Sequence, residues 1–213
     1  MNLNLATLPL PLDTNTANGP RRRHRLGNLE LANGALRHFR EVAGALQPDQ
    51  PVPDVDAIAS AARTLAHQFD GMRDAPCIRL RLRCLAAMRA MAAERDWELD
   101  AVQQRRIALV AGYAANQDSL IPDAVPVIGH LDDAVLVDLA WPSIRLDLEN
   151  YLDFRRLRAE EAMLLGVRPH EVRYDRQTWQ EARIAEQAWR EHVAQRGQNS
   201  YLSMSPPIAF RIH

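Results

Sequence analysis

Residues 77–95 read CIRLRLRCLAAMRAMAAER, and they admit two local structures with opposite consequences for the fold. Ile78 to Cys84 alternate apolar and basic, the period-two pattern of a half-buried strand. Yet Cys77, Leu80, Cys84, Met88 and Met91 also share one face at helical spacing. Length decides between them. The Ala- and Met-rich continuation outruns an ordinary strand, so the stretch predicts one long helix and its methionines predict core packing. The two cysteines then stand seven residues apart on that helix, roughly 10 Å along its axis, too far for a disulfide. They read as small apolar core residues, which suits a reducing cytoplasm.

Helix signals continue on both sides. Leu29 to Leu46 has helical periodicity, and Pro48, Pro51 and Pro53 break the chain after it. Asp54 to Phe69 places Ile58, Ala61, Ala62, Leu65 and Phe69 at helical spacing, and Gly71 closes that segment. Asp96 or Asp100 can cap a helix from Ala101 to about Ala115. Trp141-Pro142-Ser143 predicts a kink or a fresh start, followed by a helix to about Leu165 that Gly166 and Pro169 end. Asp175 opens a last helix that closes at Gly197, with Trp179, Ala182, Ala185, Trp189 and Val193 on one stripe. That stripe predicts a docking face. The fold expected is all-α, an irregular bundle of about six or seven helices with extended arms at both ends.

The arms differ in chemistry. Residues 1–27 carry three prolines and the cluster Arg21, Arg22, Arg23, His24, Arg25, which reads as an extended arm with few apolar anchors. Residues 28–197 form the expected helical domain. Residues 198–213 hold Tyr201, Leu202, Met204, Ile208, Phe210 and Ile212, too apolar for a free end, and predict a docked tail.

Composition narrows the function classes. The chain has 213 residues, 47% apolar and 25% charged, with a net charge of −1. That excludes wholesale disorder, and no global field selects nucleic acid or anionic membrane. All 26 basic residues are arginine. The longest apolar run, Ile107 to Ala115, is too short to span a bilayer, and the first residues lack the pattern of a secretion signal. No glycine-rich phosphate loop, nucleophile elbow or paired-cysteine zinc pattern occurs.

One segment is distinctive. Residues 116–139 read NQDSLIPDAVPVIGHLDDAVLVDL. Ile121-Pro122-Asp123, Val125-Pro126-Val127, Gly129 and Leu131-Asp132-Asp133 together resemble the signature of the YkvA-like family, a domain of unknown function. The resemblance covers about residues 105–145. It implies a small bacterial helical module, sometimes found in membrane-associated proteins, with no established activity. Asn116 to Ser119 depart from the Ser-Pro-x-Asp run usual at that place.

Physical chemistry gives the motif a structural reading. Pro122 and Pro126 hold the preceding residues extended, Gly129 permits a turn, and Asp132 and Asp133 start a helix at its positive dipole end. A metal or acid–base reading would use Asp123, His130, Asp132, Asp133 and Asp138. On a wheel with Leu131 at zero, Asp132 points to about 100°, Asp133 to about 200° and Asp138 to about 340°, so those acids diverge. Only His130 and Asp133 can share a face, and a third ligand must come from Asp123 or elsewhere. The rest of that helix, Ala134 to Val137 and Leu139 to Trp141, is apolar nearly all round and predicts burial. Asp138 within it then requires a partner, for which arginine is the expected choice.

The sequence therefore predicts a non-enzymatic cytoplasmic interaction or regulatory protein, working with another protein or a second copy of itself. Arg21, Arg22, Arg23, Arg25, Trp179 and Trp189 are the candidate partner contacts, and no cofactor or metal is expected. Two other classes compete: a metal-dependent hydrolase using Asp123, His130 and Asp133, and a peripheral membrane protein using the apolar motif helix.

Overall fold

The computed structural model describes residues 3–12, 25–26, 29–30, 32–49, 51–116 and 119–198. Arg21 to Arg23 and the tail from Tyr201 lie outside them. Six α-helices occur among the described residues: α1 (Asn33–Leu46), α2 (Val55–Gln68), α3 (Pro76–Ala93), α4 (Ala101–Tyr113), α5 (Leu131–Leu165) and α6 (Arg176–Gln198). The fold is all-α, with one two-residue antiparallel pair, β1 (Arg25–Leu26) and β2 (Leu29–Glu30). That pair starts α1 four residues later than the periodicity suggests, because Leu29 and Glu30 give their backbone groups to β1.

The ambiguous stretch is helical to Ala93, with Pro76 in the first turn of α3, where its missing N–H costs nothing. Its buried face holds Cys77, Ile78, Cys84, Leu85, Met88 and Met91, and it also holds Arg81. Both cysteines are free thiols, and burial raises both pKa values, that of Cys84 to about 11. Asp100 caps α4 by accepting a hydrogen bond from Val102 N (2.8 Å), and Asp175 caps α6 through Thr178 N (2.8 Å).

Two expectations fail here. The segment Leu3–Leu12 is anchored rather than sparse in anchors: Leu3, Leu5 and Leu10 are buried, around a 3-10 turn at Leu5–Thr7 that Asn4 caps. Nor does Pro142 mark a fresh start, because α5 runs through it. An interior proline costs about 3 kcal/mol. Ala140, Ile144 and Leu148 around it are buried, and a large side chain such as Ile144 or Leu148 contributes about 1.5–3 kcal/mol. Gln103 Nε2 also donates to the Ser143 carbonyl (2.8 Å).

The chain divides into two compact units, Met1–Asp153 and Phe154–His213. The first unit packs α1 and α3 on α4 around Phe39, Ile58, Met88, Val110 and the first turns of α5, where Leu131 to Val137 are all buried. In the second, Phe154 and Tyr174 meet with ring centroids 5.6 Å apart, and the Arg158 guanidinium lies 4.9 Å over Phe154. The α6 stripe is buried at Trp179 and exposed at Ala185, Trp189 and Val193, so it does not dock along its length among the described residues. Among the described residues no helix is long and apolar enough to cross a membrane.

Candidate functional site

The loop between α4 and α5 is built by its prolines, one glycine and two strained residues. Val125 N donates to the Pro122 carbonyl (3.0 Å) and Gly129 N to the Val125 carbonyl (2.8 Å), so residues 122–129 coil tightly. Gly129 is required by close approach rather than by φ. A side chain there would collide with the Asp123 carbonyl and lie 2.8 Å from that of Val125. The left-handed positions are Val127 (φ 70°) and His130 (φ 64°). A β-branched residue is rarely found there, and Val127 is held by bonds on both sides, from its N to the Arg73 carbonyl (2.7 Å) and from Ala75 N to its carbonyl (3.0 Å). His130 then begins α5, its carbonyl accepting from Ala134 N (2.9 Å).

Asp132 ties this loop shut. It is fully buried, and its Oδ2 accepts from Tyr113 Oη (2.7 Å), Leu120 N (2.7 Å) and Ile121 N (3.3 Å). Burial raises its pKa despite those three donors. Burial and the Asp132 charge likewise push the Tyr113 hydroxyl up. Tyr113 also stacks on His38, centroids 5.3 Å apart.

Asp133 points elsewhere, as the helix geometry requires. His130 Nδ1 lies 2.9 Å from Asp133 Oδ2 and 3.2 Å from Asp123 Oδ1. One ligand atom from each of the three falls within 4.8 Å of the others. Asp133 is 2% exposed, His130 is part-exposed and Asp123 is open to solvent. Asp133 Oδ1 and Asp132 Oδ1 are buried with no hydrogen-bond partner. Burial, then repulsion from Asp132, raise the Asp133 pKa to about 6, against the pull of His130.

Asp138 has the expected arginine. Arg81 Nε and Nη2 meet its two carboxylate oxygens at 2.8 Å each, and Arg81 Nη1 donates to the carbonyls of Leu8 (2.7 Å) and Cys77 (3.0 Å). Burial raises the Asp138 pKa while Arg81 pulls it down. The face therefore assembles Asp123, His130 and Asp133, keeps Asp132 for the loop, and sends Asp138 to α3. Arg81 and Tyr113 are the contributors that spacing alone did not mark.

This is the stretch that the comparison with protein families singles out. Residues 106–139 match the family DUF1232, a protein of unknown function. No curated protein and no solved structure matches the chain. The YkvA-like resemblance is consistent with the DUF1232 match. The DUF1232 segment spans the second half of α4, the loop and the first turns of α5. It contains Tyr113 and all the motif acids, whereas Arg81 lies outside it.

The second unit offers a different surface. An open groove is lined by Leu165, Val167, Val172, Tyr174, Ala182 and Ala185, with Glu161, Glu171 and Glu181 also along it. Met163, Leu164, Leu165, Ile184 and Trp189 on the same unit are 60–79% exposed.

Proposed function

We propose that this chain is a non-enzymatic cytoplasmic protein that acts through protein–protein contacts made by its second unit. The observation that carries the reading is the groove beside α6, apolar on its walls with three glutamates and Arg173 along it. Apolar surface of this kind, rimmed by polar groups, marks an interaction site. Ala182 and Ala185 leave room for a partner's side chains, and Trp189 is the residue type most often found at the energetic centre of interfaces. Three glutamates along the groove favour a polypeptide carrying basic residues next to apolar ones. The sequence Pro20 to Leu26 of a second copy has that composition, as would a basic segment of another protein. Two free, buried cysteines agree with a reducing compartment. A membrane role would have drawn on the apolar start of α5, and residues 131–137 there are buried.

The test compares wild type with Ala182→Glu, which fills the groove and adds a like charge. Sedimentation over a concentration series reads self-association, and capture from native lysate reads a second protein. The expected result is an association or a captured protein that Ala182→Glu abolishes. A wild type that stays monomeric and retains the same lysate proteins as the variant would sink the reading.

A further inference from the structure

We infer that Asp123, His130 and Asp133 form a binding site for one divalent transition-metal ion, with zinc and manganese as the ions the ligand set suits. The site is separate from the groove of the second unit and does not depend on it. The geometry supplies the first argument. One nitrogen, His130 Nδ1, faces two carboxylate oxygens at 2.9 and 3.2 Å. Ligands about 2.1 Å from a common ion stand roughly 3.0–3.4 Å apart in octahedral or tetrahedral arrangement. The two His130 contacts match that spacing, and the three ligand atoms lie within 4.8 Å of one another.

The second argument is independent of the spacing. A carboxylate 98% removed from solvent ordinarily satisfies both oxygens, because an unpartnered buried acceptor costs about 1–3 kcal/mol. Asp133 satisfies only one, and Oδ1 of the same group has no hydrogen-bond partner. Asp138, by contrast, has both of its oxygens closed by Arg81. Among the described residues no arginine pairs with Asp133, and two acids converge on one imidazole. A divalent cation held by Oδ2 provides positive charge to this incompletely paired carboxylate.

The donor set selects the ion. Imidazole with two carboxylates suits zinc, manganese or iron, while calcium asks for six to eight oxygens. Three protein ligands leave at least one position for water. Asp123, open to solvent, is the entry side, and Asp133 is the fixed ligand at the back. The strained φ of His130 aims its ring between them.

The experiment titrates the full chain, stripped with chelator, with zinc alone and with manganese alone by calorimetry. Wild type is compared with Asp123→Asn and His130→Asn. Asp123 is exposed, so its variant keeps the fold, and asparagine tolerates the left-handed backbone at position 130. Far-ultraviolet circular dichroism verifies both. The expected result is one ion per chain in wild type and binding weakened roughly 100-fold or more in each variant, the upper range even for supporting residues of metal sites. No tight binding by wild type, or full binding retained by either variant, overturns the three-ligand site.

Discussion

Two acids on the first turns of α5 are treated in opposite ways. Asp138 receives both arms of a guanidinium, which also ties the Leu8 and Cys77 carbonyls to the same point. Asp133, five residues earlier and more deeply buried, receives a single shared imidazole and keeps an oxygen without a partner. The first arrangement is closed and holds three stretches of chain together. The second is open, and its cost in a metal-free chain falls on the fold. Burial alone does not tell Asp133 from Asp138; completeness of pairing does.

The largest effect should come from breaking the closed half. Arg81→Met strands Asp138 and two backbone carbonyls, and removing one partner of a buried pair costs about 3–5 kcal/mol. Urea unfolding of the full chain measures it, and Asp138→Leu added to Arg81→Met should recover much of the loss. A loss below about 1 kcal/mol would remove the contrast altogether.

Next comes the open half. A folded-state pKa raised from 3.8 to about 6 means that the native chain holds the Asp133 proton more tightly than the unfolded one. The stability it contributes is fully present below about pH 4 and is lost as pH rises through 6, on the order of 3 kcal/mol. In metal-free protein, Asp133→Asn should therefore gain on wild type between pH 4 and 7. Thermal melts of the pair across that range check the sign; parallel curves would mean that Asp133 is closed after all.

The fold was largely legible in the sequence, the pairing less so. Helical spacing located α1 to α4 within a few residues, and Gly166 (φ 69°) ends α5 where the turn signals put it. Pro142 misleads because a local rule meets a buried helix whose packing outweighs one lost hydrogen bond. Asp138's need for an arginine followed from its apolar neighbours. Which arginine could not follow, because Arg81 is 57 residues away and sits in a run where basic residues alternate with apolar ones. The Asp123, His130 and Asp133 cluster was legible as a possibility from the helical wheel. Its convergence depends on the left-handed backbone at His130, and no β-propensity or turn rule places a histidine or Val127 there.

Two smaller effects sharpen the comparison. Asp132→Ala removes the acceptor for Tyr113 Oη, Leu120 N and Ile121 N, but Leu120 N keeps Tyr113 Oη at 3.0 Å. The expected loss is about 2 kcal/mol, with faster amide exchange at Ile121 as the local sign. Asp123→Asn, on the exposed side, should change stability by less than about 0.5 kcal/mol. A larger loss in denaturant would make Asp123 a structural partner of His130.

Arg81 also has a consequence for the order in which the chain is made. Its counter-charge is encoded 57 residues later, so at a synthesis rate of about 5–20 residues per second the arginine waits about 3 to 11 s for it. Throughout that interval α3 carries a side chain destined for the interior whose charge has nothing to neutralise it. The expected consequence is that the first three helices do not seal until α5 arrives. Asp123, His130 and Asp133, encoded within eleven residues of one another, meet no such delay. Nascent chains halted before residue 138 should be cut readily by protease within α3, and chains extended past α5 should resist.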